Sequence, residues 1–181
     1  MPAQRIDPKL RLTLREGSVY YFTERSLTSA APHYFVVVNS NPIAQELLLL
    51  GVATSKVAEV KQRRRDSAET VVEISPRDFE VFRKLSILDC NDLKQIQLVE
   101  FNARFVRNEI RYFNKDLPAS LRNAVRRAIH TSPIVPDEVK ALVAKPWPRS
   151  SDSNTARAVD LSTLNYQPST VKQLRRAKHR R

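Results

Sequence analysis

Two apolar runs, separated by a short polar turn, dominate the hydrophobic pattern of the chain between Pro32 and Lys56. The first follows Pro32 and His33, and the second is a leucine-rich run that ends at Thr54 and Ser55. Each run is close to strand length and rich in β-branched or bulky residues, which predicts two β-strands. If the strands pair as antiparallel neighbours, the start of the first lies beside the end of the second. We therefore expect His33 to stand close to Thr54 and Ser55.

The rest of the first hundred residues predicts a small β-rich structure. A polar segment at residues 23–31 is expected to form a loop or flap. Ser75, Pro76 and Asp78 have the form of a helix start and predict a short helix that ends near Lys84. Strands are expected over five further segments: weakly over residues 1–15, then over residues 18–22, 70–74, 86–91 and 94–99, with a turn after Asn91. Several short strands with few helices favour a small, highly curved sheet or barrel.

The chain becomes more helical in its second half. Residues 101–113 fit either a helix or an extended segment. Residues 118–130 carry apolar side chains on one side and arginines on the other, which predicts an amphipathic helix with a basic outer face. Pro136, followed by two acidic residues, starts a shorter helix. The expected organisation is a barrel with C-terminal helices over residues 1–145 and a basic, flexible tail over residues 146–181.

Composition excludes several classes of function. The chain has only two glycines, so neither a P-loop nor a dinucleotide-binding fingerprint is present, because both need several glycines close together. Its single cysteine, Cys90, excludes an intramolecular disulfide and a cysteine-based zinc site, and its three histidines are widely scattered. We expect Cys90 to be buried, and we expect no metal and no cofactor. With no apolar signal core and no run near the ~20 residues of a membrane span, the expected location is the cytoplasm.

The charge of the chain favours a polyanionic partner. The formal net charge is +12, with 18 Lys/Arg against 14 Asp/Glu in residues 1–115 and 13 against 5 in residues 116–181. A strongly basic protein attracts nucleic acid, although charge alone gives the sign of the partner and not its identity. The cluster from Lys61 to Arg65 either contacts phosphates or forms a solvated loop.

Four short motifs resemble the MazF/PemK family of toxin endoribonucleases. They are Gly17-Ser18-Val19-Tyr20 at the start of a strand, Pro32-His33 leading into Val36-Val37-Val38, Ala53-Thr54-Ser55-Lys56, and Leu85 to Asp89. The resemblance covers roughly residues 15–130. It implies a compact SH3-like barrel with a C-terminal helix, a homodimer that binds single-stranded RNA, and a small antitoxin protein as partner. It also implies cleavage by the RNA 2′-hydroxyl without a metal.

The same resemblance assigns candidate site residues. The hydroxyl position of the family falls on Thr54, with Ser55 beside it, and the family's arginine position falls on or next to His33. Histidine can take or give a proton near neutral pH, but it is a weaker fixed cation than arginine. The candidate catalytic residues are therefore His33, Thr54 and Ser55, and the candidate RNA-binding residues are Arg25, Lys56, Arg63, Arg64 and Arg65.

Two alternatives remain open from the sequence. His33 at a strand entrance can also be a structural hydrogen-bonding residue, and Thr54 and Ser55 can simply end a strand. The histidine at the arginine position is compatible with altered but active chemistry. It is equally compatible with a catalytically inactive barrel that binds nucleic acid or a protein.

Overall fold

A six-stranded antiparallel sheet forms the frame of the protein. The computed structural model describes residues 5–27 and 29–147. The strands are β1 (Ser18–Phe22), β2 (His33–Val37), β3 (Leu47–Thr54), β4 (Val71–Ile74), β5 (Ser86–Gln97) and β6 (Arg111–Asp116). The helices are α1 (Pro8–Thr13), α2 (Val57–Arg63), α3 (Leu98–Val106), α4 (Ala119–Thr131) and α5 (Asp137–Leu142), and a 3-10 segment spans Arg65–Thr70.

The sheet confirms the expected class, mainly β with α. Its strand order is β4-β5-β3-β2-β1-β6, and it curls into a half-barrel that is followed by the C-terminal helices α4 and α5. The predicted pairing of the two central runs is confirmed, because β2 and β3 are antiparallel neighbours with Tyr34 opposite Ala53 and Val37 opposite Leu50. The strands predicted over residues 18–22 and 70–74 and the two C-terminal helices are also present.

Both faces of the sheet are buried, and successive side chains along each strand alternate between them. One face, which we call the α4 face, packs residues such as Val19, Val36 and Leu49 against Val125 and Ile129 of α4. The opposite face, the α3 face, packs larger groups against α1 and α3. Its members include Tyr20, Phe22, Phe35, Leu48, Leu10 and Phe101, all at most 2% exposed. At roughly 1.5–3 kcal/mol for each large apolar side chain, these two clusters are the main source of stability.

The expected strand at the N-terminus is wrong, because residues 8–13 form α1. The Asp7 side chain caps the helix by accepting hydrogen bonds from the backbone N–H groups of Lys9 and Leu10 at 2.9 and 3.2 Å. Leu10 and Leu14 are buried at helical spacing, whereas Leu12 is 78% exposed. An i, i+2, i+4 leucine pattern is typical of a strand, but the cap and the burial of only the i and i+4 positions select the helix.

The expected helix between Ser75 and Lys84 is also wrong, because this segment forms successive turns. The capping chemistry is present: the Ser75 hydroxyl donates to Asp78 at 2.6 Å, and the Phe79 N–H donates to the Ser75 carbonyl at 3.0 Å. The rings of Phe79 and Phe82 are buried in the core of the α4 face. Helix nucleation is costly, and so short a segment gains too few hydrogen bonds to continue.

The two strands expected around a turn at Asn91 are a single strand, β5, of 12 residues. Asn91 supplies a side-chain network instead of a turn, donating to the Thr70 hydroxyl at 2.5 Å and accepting from the Ser132 hydroxyl at 2.5 Å. The register with β3 shifts between Gly51 and Ala53. A Cβ at Gly51 would lie 2.6 Å from Cδ2 of Leu88, so glycine permits the close approach of β5 there.

The segment after residue 100, which fits a helix or an extended chain, divides into α3 and β6. Cys90 is buried, as expected, and burial raises the pKa of its thiol well above the usual range. Among the described residues, no helix is long and apolar enough to cross a bilayer. Residues 148–181, most of the expected basic tail, lie outside the described residues.

Candidate active site

An open cleft of about 360 Å³ lies where β1 ends, β2 begins and β3 ends. A third side comes from the segment that leads into β5. The lining residues are Tyr21, Pro32, His33, Tyr34, Ala53, Thr54, Ser55, Lys56, Arg83, Lys84 and Ser86. The cleft therefore combines one imidazole, several hydroxyl groups, three cationic side chains and two aromatic rings.

The strand register brings the candidate catalytic residues together. Phe22 on β1 is paired with His33 on β2, and Tyr34 is paired with Ala53 on β3. Because β2 and β3 run in opposite directions, the residues next outward from the Tyr34–Ala53 pair are His33 and Thr54. His33, Thr54 and Ser55 consequently line the same cleft, as their positions at the strand ends predict.

His33 has an unusual environment at the first residue of β2. The residue is half-buried, and its Nε2 atom is buried with no hydrogen-bond partner among the described residues. The ring tautomer of a histidine is normally fixed by the hydrogen bond that one nitrogen makes. No such bond holds Nε2 within the described residues, so the protein does not fix the ring tautomer through this atom. Unsatisfied buried polar atoms are uncommon in folded proteins and often mark functional positions.

The end of β3 presents Thr54 and Lys56 to the cleft. The Thr54 hydroxyl oxygen accepts a hydrogen bond from the Lys56 backbone N–H at 3.2 Å. This bond uses an oxygen lone pair and leaves the hydroxyl hydrogen available to a ligand. Lys56 Nζ lies 3.4 Å from Glu59, and both side chains are 70% exposed. A solvent-exposed pair of this kind is weak, so the ammonium group remains available to a phosphate.

Arg83 and Lys84 line the cleft, although sequence reasoning did not select them as candidates. Both are exposed and follow the buried Phe82. Neither forms an ion pair with any carboxylate in residues 5–27 and 29–147. The prediction of a helix over this segment gave no reason to place them at the cleft. A buried aromatic residue followed directly by two cations, however, is a pattern in the sequence that indicates an exposed basic turn. They give the third side of the cleft a positive charge that its lining residues do not neutralise.

Arg25 lies outside the cleft, on the loop that follows β1. It is placed near the residues that follow α3, where its charge contributes to the lowered pKa of Glu109. That pKa is lowered mainly by the hydrogen bond from Arg107. The neighbouring Glu24 is engaged by Arg104 at 2.8 Å. The structure thus brings Arg25 to a group of charges on the α3 side and not to His33.

The basic cluster at the C-terminal end of α2 is also separate from the cleft lining. Arg63 and Arg64 both donate to Oδ2 of Asp89, at 3.0 and 2.9 Å, and the Asp89 side chain is only 8% exposed. Arg65 lies 3.5 Å from Asp66 in an exposed pair. Two of the three arginines named as RNA-binding candidates are therefore engaged by a buried carboxylate.

Among the described residues that line the cleft, none is acidic. Elsewhere in the described part of the chain, no three His, Cys, Asp or Glu side chains lie close enough together to form a candidate metal site. The chemistry that the cleft residues offer is proton transfer by an imidazole, hydrogen bonding by hydroxyl groups and stabilisation of negative charge by Lys56, Arg83 and Lys84.

The comparisons with known proteins include a distant likeness in fold. The chain is similar to an endoribonuclease from a mycobacterial species, solved in complex with its cognate antitoxin. The identity is 14%, the likeness covers 75% of this chain and 99% of that chain, and the TM-score is 0.43. No protein-family model matches the sequence, and no curated protein matches it. A likeness this distant carries no conclusion about function, which has to come from the chemistry of the cleft.

Proposed function

We propose that this protein is an endoribonuclease that cleaves single-stranded RNA through the RNA 2′-hydroxyl. One observation carries the proposal: His33, Thr54 and Lys56 share a cleft with Arg83 and Lys84, two cations that form no ion pair with a carboxylate of the described residues. A phosphodiester brings negative charge, which suits the cations, and RNA brings its own nucleophile next to each phosphate. The cleft then needs to supply only a proton acceptor and charge stabilisation.

The proposed reaction is an internal transesterification. The imidazole of His33 accepts the proton of the 2′-hydroxyl while the 2′-oxygen forms a bond to the adjacent phosphorus. The bond from phosphorus to the 5′-oxygen breaks, and the protonated imidazole or solvent returns a proton to that oxygen. The products are a 2′,3′-cyclic phosphate and a 5′-hydroxyl. Lys56 and Arg83 stabilise the charge that develops on the phosphoryl oxygens, and Thr54 donates to one of them.

The motifs extend this proposal to biological role and partners. The four motifs that resemble the MazF/PemK toxins include the strand ends that form the cleft, at Pro32-His33 and Ala53-Thr54-Ser55-Lys56. We therefore propose a toxin of a toxin–antitoxin pair, with a small antitoxin as partner and a homodimer as the active form. Co-expression with the product of a small adjacent reading frame, followed by co-purification, tests the partner, and light scattering tests the dimer.

The activity is tested with purified full-length protein and unstructured RNA in the presence of EDTA. We expect fragments that end in a 2′,3′-cyclic phosphate, identified by mass spectrometry. Removing an acid–base group typically costs 10²–10⁴-fold, so His33→Ala is expected to lower the cleavage rate by at least about 100-fold. Thr54→Val is expected to reduce the rate, whereas Thr13→Val, which removes a hydroxyl from α1, serves as the matched control.

Two results would decide against the endoribonuclease. Salt-dependent RNA binding without any fragments would replace it with a nucleic-acid-binding module. If varied RNAs are neither bound nor cleaved, RNA is not the substrate of the cleft.

A further inference from the structure

Two aromatic rings, Tyr21 and Tyr34, lie side by side in the wall of the cleft. They are paired across β1 and β2, with ring centroids 4.8 Å apart and an angle of 47° between the ring planes. Both residues are half-buried and line the cleft together with His33. The rings are therefore held next to the residue that we place at the reacting phosphate.

Alternation along β1 selects Tyr21 among the three consecutive aromatic residues of this strand. Tyr20 and Phe22 are at most 2% exposed and lie in the core of the α3 face. Tyr21 points to the other side of the sheet, where it meets Tyr34 instead of a helix. The rings of Tyr20 and Phe22 therefore pack in the core, whereas the Tyr21 ring lines the cleft.

Tyr34 is fixed from behind by further aromatic contacts. Its ring centroid lies 5.1 Å from that of Phe82 and 5.4 Å from that of Phe113. Aromatic groups held on several sides lose little further entropy when a ligand stacks on them. The hydroxyl groups of Tyr21 and Tyr34 make no hydrogen bond within the described residues, and neither oxygen is buried. Ring faces and free hydroxyl groups thus occur together in the cleft.

We infer that Tyr21 and Tyr34 form a nucleobase-binding subsite that accepts one unpaired base adjacent to the scissile phosphate. The base stacks on the Tyr21 ring, and the Tyr34 hydroxyl is placed to hydrogen-bond its edge. Lys56, Arg83 and Lys84 hold the backbone on either side. This inference rests on the proposed function and adds the part of the substrate that the cleft recognises. The base must also lie outside a duplex, because neighbouring bases cover both faces of a base that is stacked in a duplex.

The subsite is tested by binding, separately from cleavage. The probe is a short single-stranded RNA with 2′-deoxy substitution at the cleavage site, and a series of probes carries one abasic position each. Stacking of a base on an aromatic side chain is worth about 1–3 kcal/mol, so Tyr21→Leu is expected to weaken binding about 10-fold. Tyr21→Phe keeps the ring and is expected to restore the affinity. Tyr112→Phe, on a ring of the α3 face, is the matched control for the hydroxyl variant Tyr34→Phe.

A single abasic position is expected to weaken binding to the wild-type protein and to have little further effect on Tyr21→Leu, since both remove the same contact. In cleavage assays Tyr21→Leu is expected mainly to raise KM. Equal affinity of Tyr21→Leu and the wild-type protein, or abasic effects that are unchanged in the variant, would overturn the subsite while cleavage persisted. Absence of cleavage by the wild-type protein would instead overturn the proposed function.

Discussion

Arg64 donates a hydrogen bond from Nε to Oδ2 of Asp89 at 2.9 Å, which joins the end of α2 to β5. Helix α2 begins at Val57, directly after the cleft residues Thr54, Ser55 and Lys56. The pair therefore fixes the far end of the short helix that follows the cleft. It also assigns a structural task to an arginine whose place in a basic cluster suggests contact with phosphate.

Replacing Asp89 with asparagine is expected to destabilise the fold. The substitution removes the charge that Arg63 and Arg64 share in a largely buried position. Hydrogen bonds to charged groups contribute about 1.5–3 kcal/mol, so the free energy of unfolding should fall by about 2 kcal/mol. Urea denaturation measures the change. Asp66→Asn is the matched control, because Asp66 is 91% exposed and surface pairs contribute roughly 0–1 kcal/mol. Equal decreases in both variants would contradict the structural role of Asp89.

The pair between Glu24 and Arg104 is expected to make the stability of the fold depend on pH in the acidic range. Burial by itself would raise the pKa of Glu24, but the hydrogen bonds from Arg104 and the backbone N–H of Ser26 outweigh it and lower that pKa below its usual 4.5. A carboxyl whose pKa is lower in the folded state stabilises the fold above its unfolded pKa. That contribution disappears as the pH falls through the folded pKa.

The test compares the wild-type protein with Glu24→Gln across acidic pH. We expect the difference in unfolding free energy to be largest near neutral pH and to shrink as the pH falls below 4.5. Chemical denaturation at a series of pH values measures it. Glu69→Gln, at an exposed position, is the matched control. A difference that stays constant from neutral to acidic pH would show that Glu24 does not titrate as described.

Each of the three cleft cations is expected to contribute to the salt dependence of RNA binding. Replacing Lys56, Arg83 or Lys84 with alanine removes one cation from the RNA backbone, so the slope of log K against log salt should become shallower by about 0.7 for each substitution. Filter binding or fluorescence anisotropy measures the slope with a non-cleavable RNA. Arg11→Ala, at an exposed position on α1, is the control and should keep the wild-type slope. A shallower slope only in Arg11→Ala would place the RNA elsewhere.

The sheet was more predictable from the sequence than the segments around it. β2 and β3 are visible as apolar runs with polar ends, and antiparallel pairing alone places His33 beside Thr54. The continuity of β5 was not predictable from the local pattern, because asparagine, the residue type at position 91, is common in turns. Its side chain is satisfied instead by Thr70 and Ser132, which are distant in sequence.

Contacts between residues that are distant in sequence also limit how much of the cleft could be predicted. Arg83 and Lys84 reach the cleft because Phe82 is anchored in the core and the chain turns there instead of forming a helix. Arg63 and Arg64 are neighbours in a basic run, yet Asp89 holds both of them. Local pattern identifies charged residues, whereas the fold decides which of them have a carboxylate partner.

Cleavage of an RNA with a single 2′-deoxy nucleotide tests the central claim most directly. The substitution stands immediately 5′ of the scissile phosphate and removes the proposed nucleophile while leaving the charge of the backbone unchanged. We expect full-length protein to cut the all-ribose RNA in EDTA and to leave the substituted RNA intact at that position. We also expect His33→Ala to cut the all-ribose RNA at least about 100-fold more slowly while keeping the unfolding midpoint of the wild-type protein. Cutting of the 2′-deoxy substrate at the same bond, or a wild-type rate in His33→Ala, would contradict the proposed mechanism.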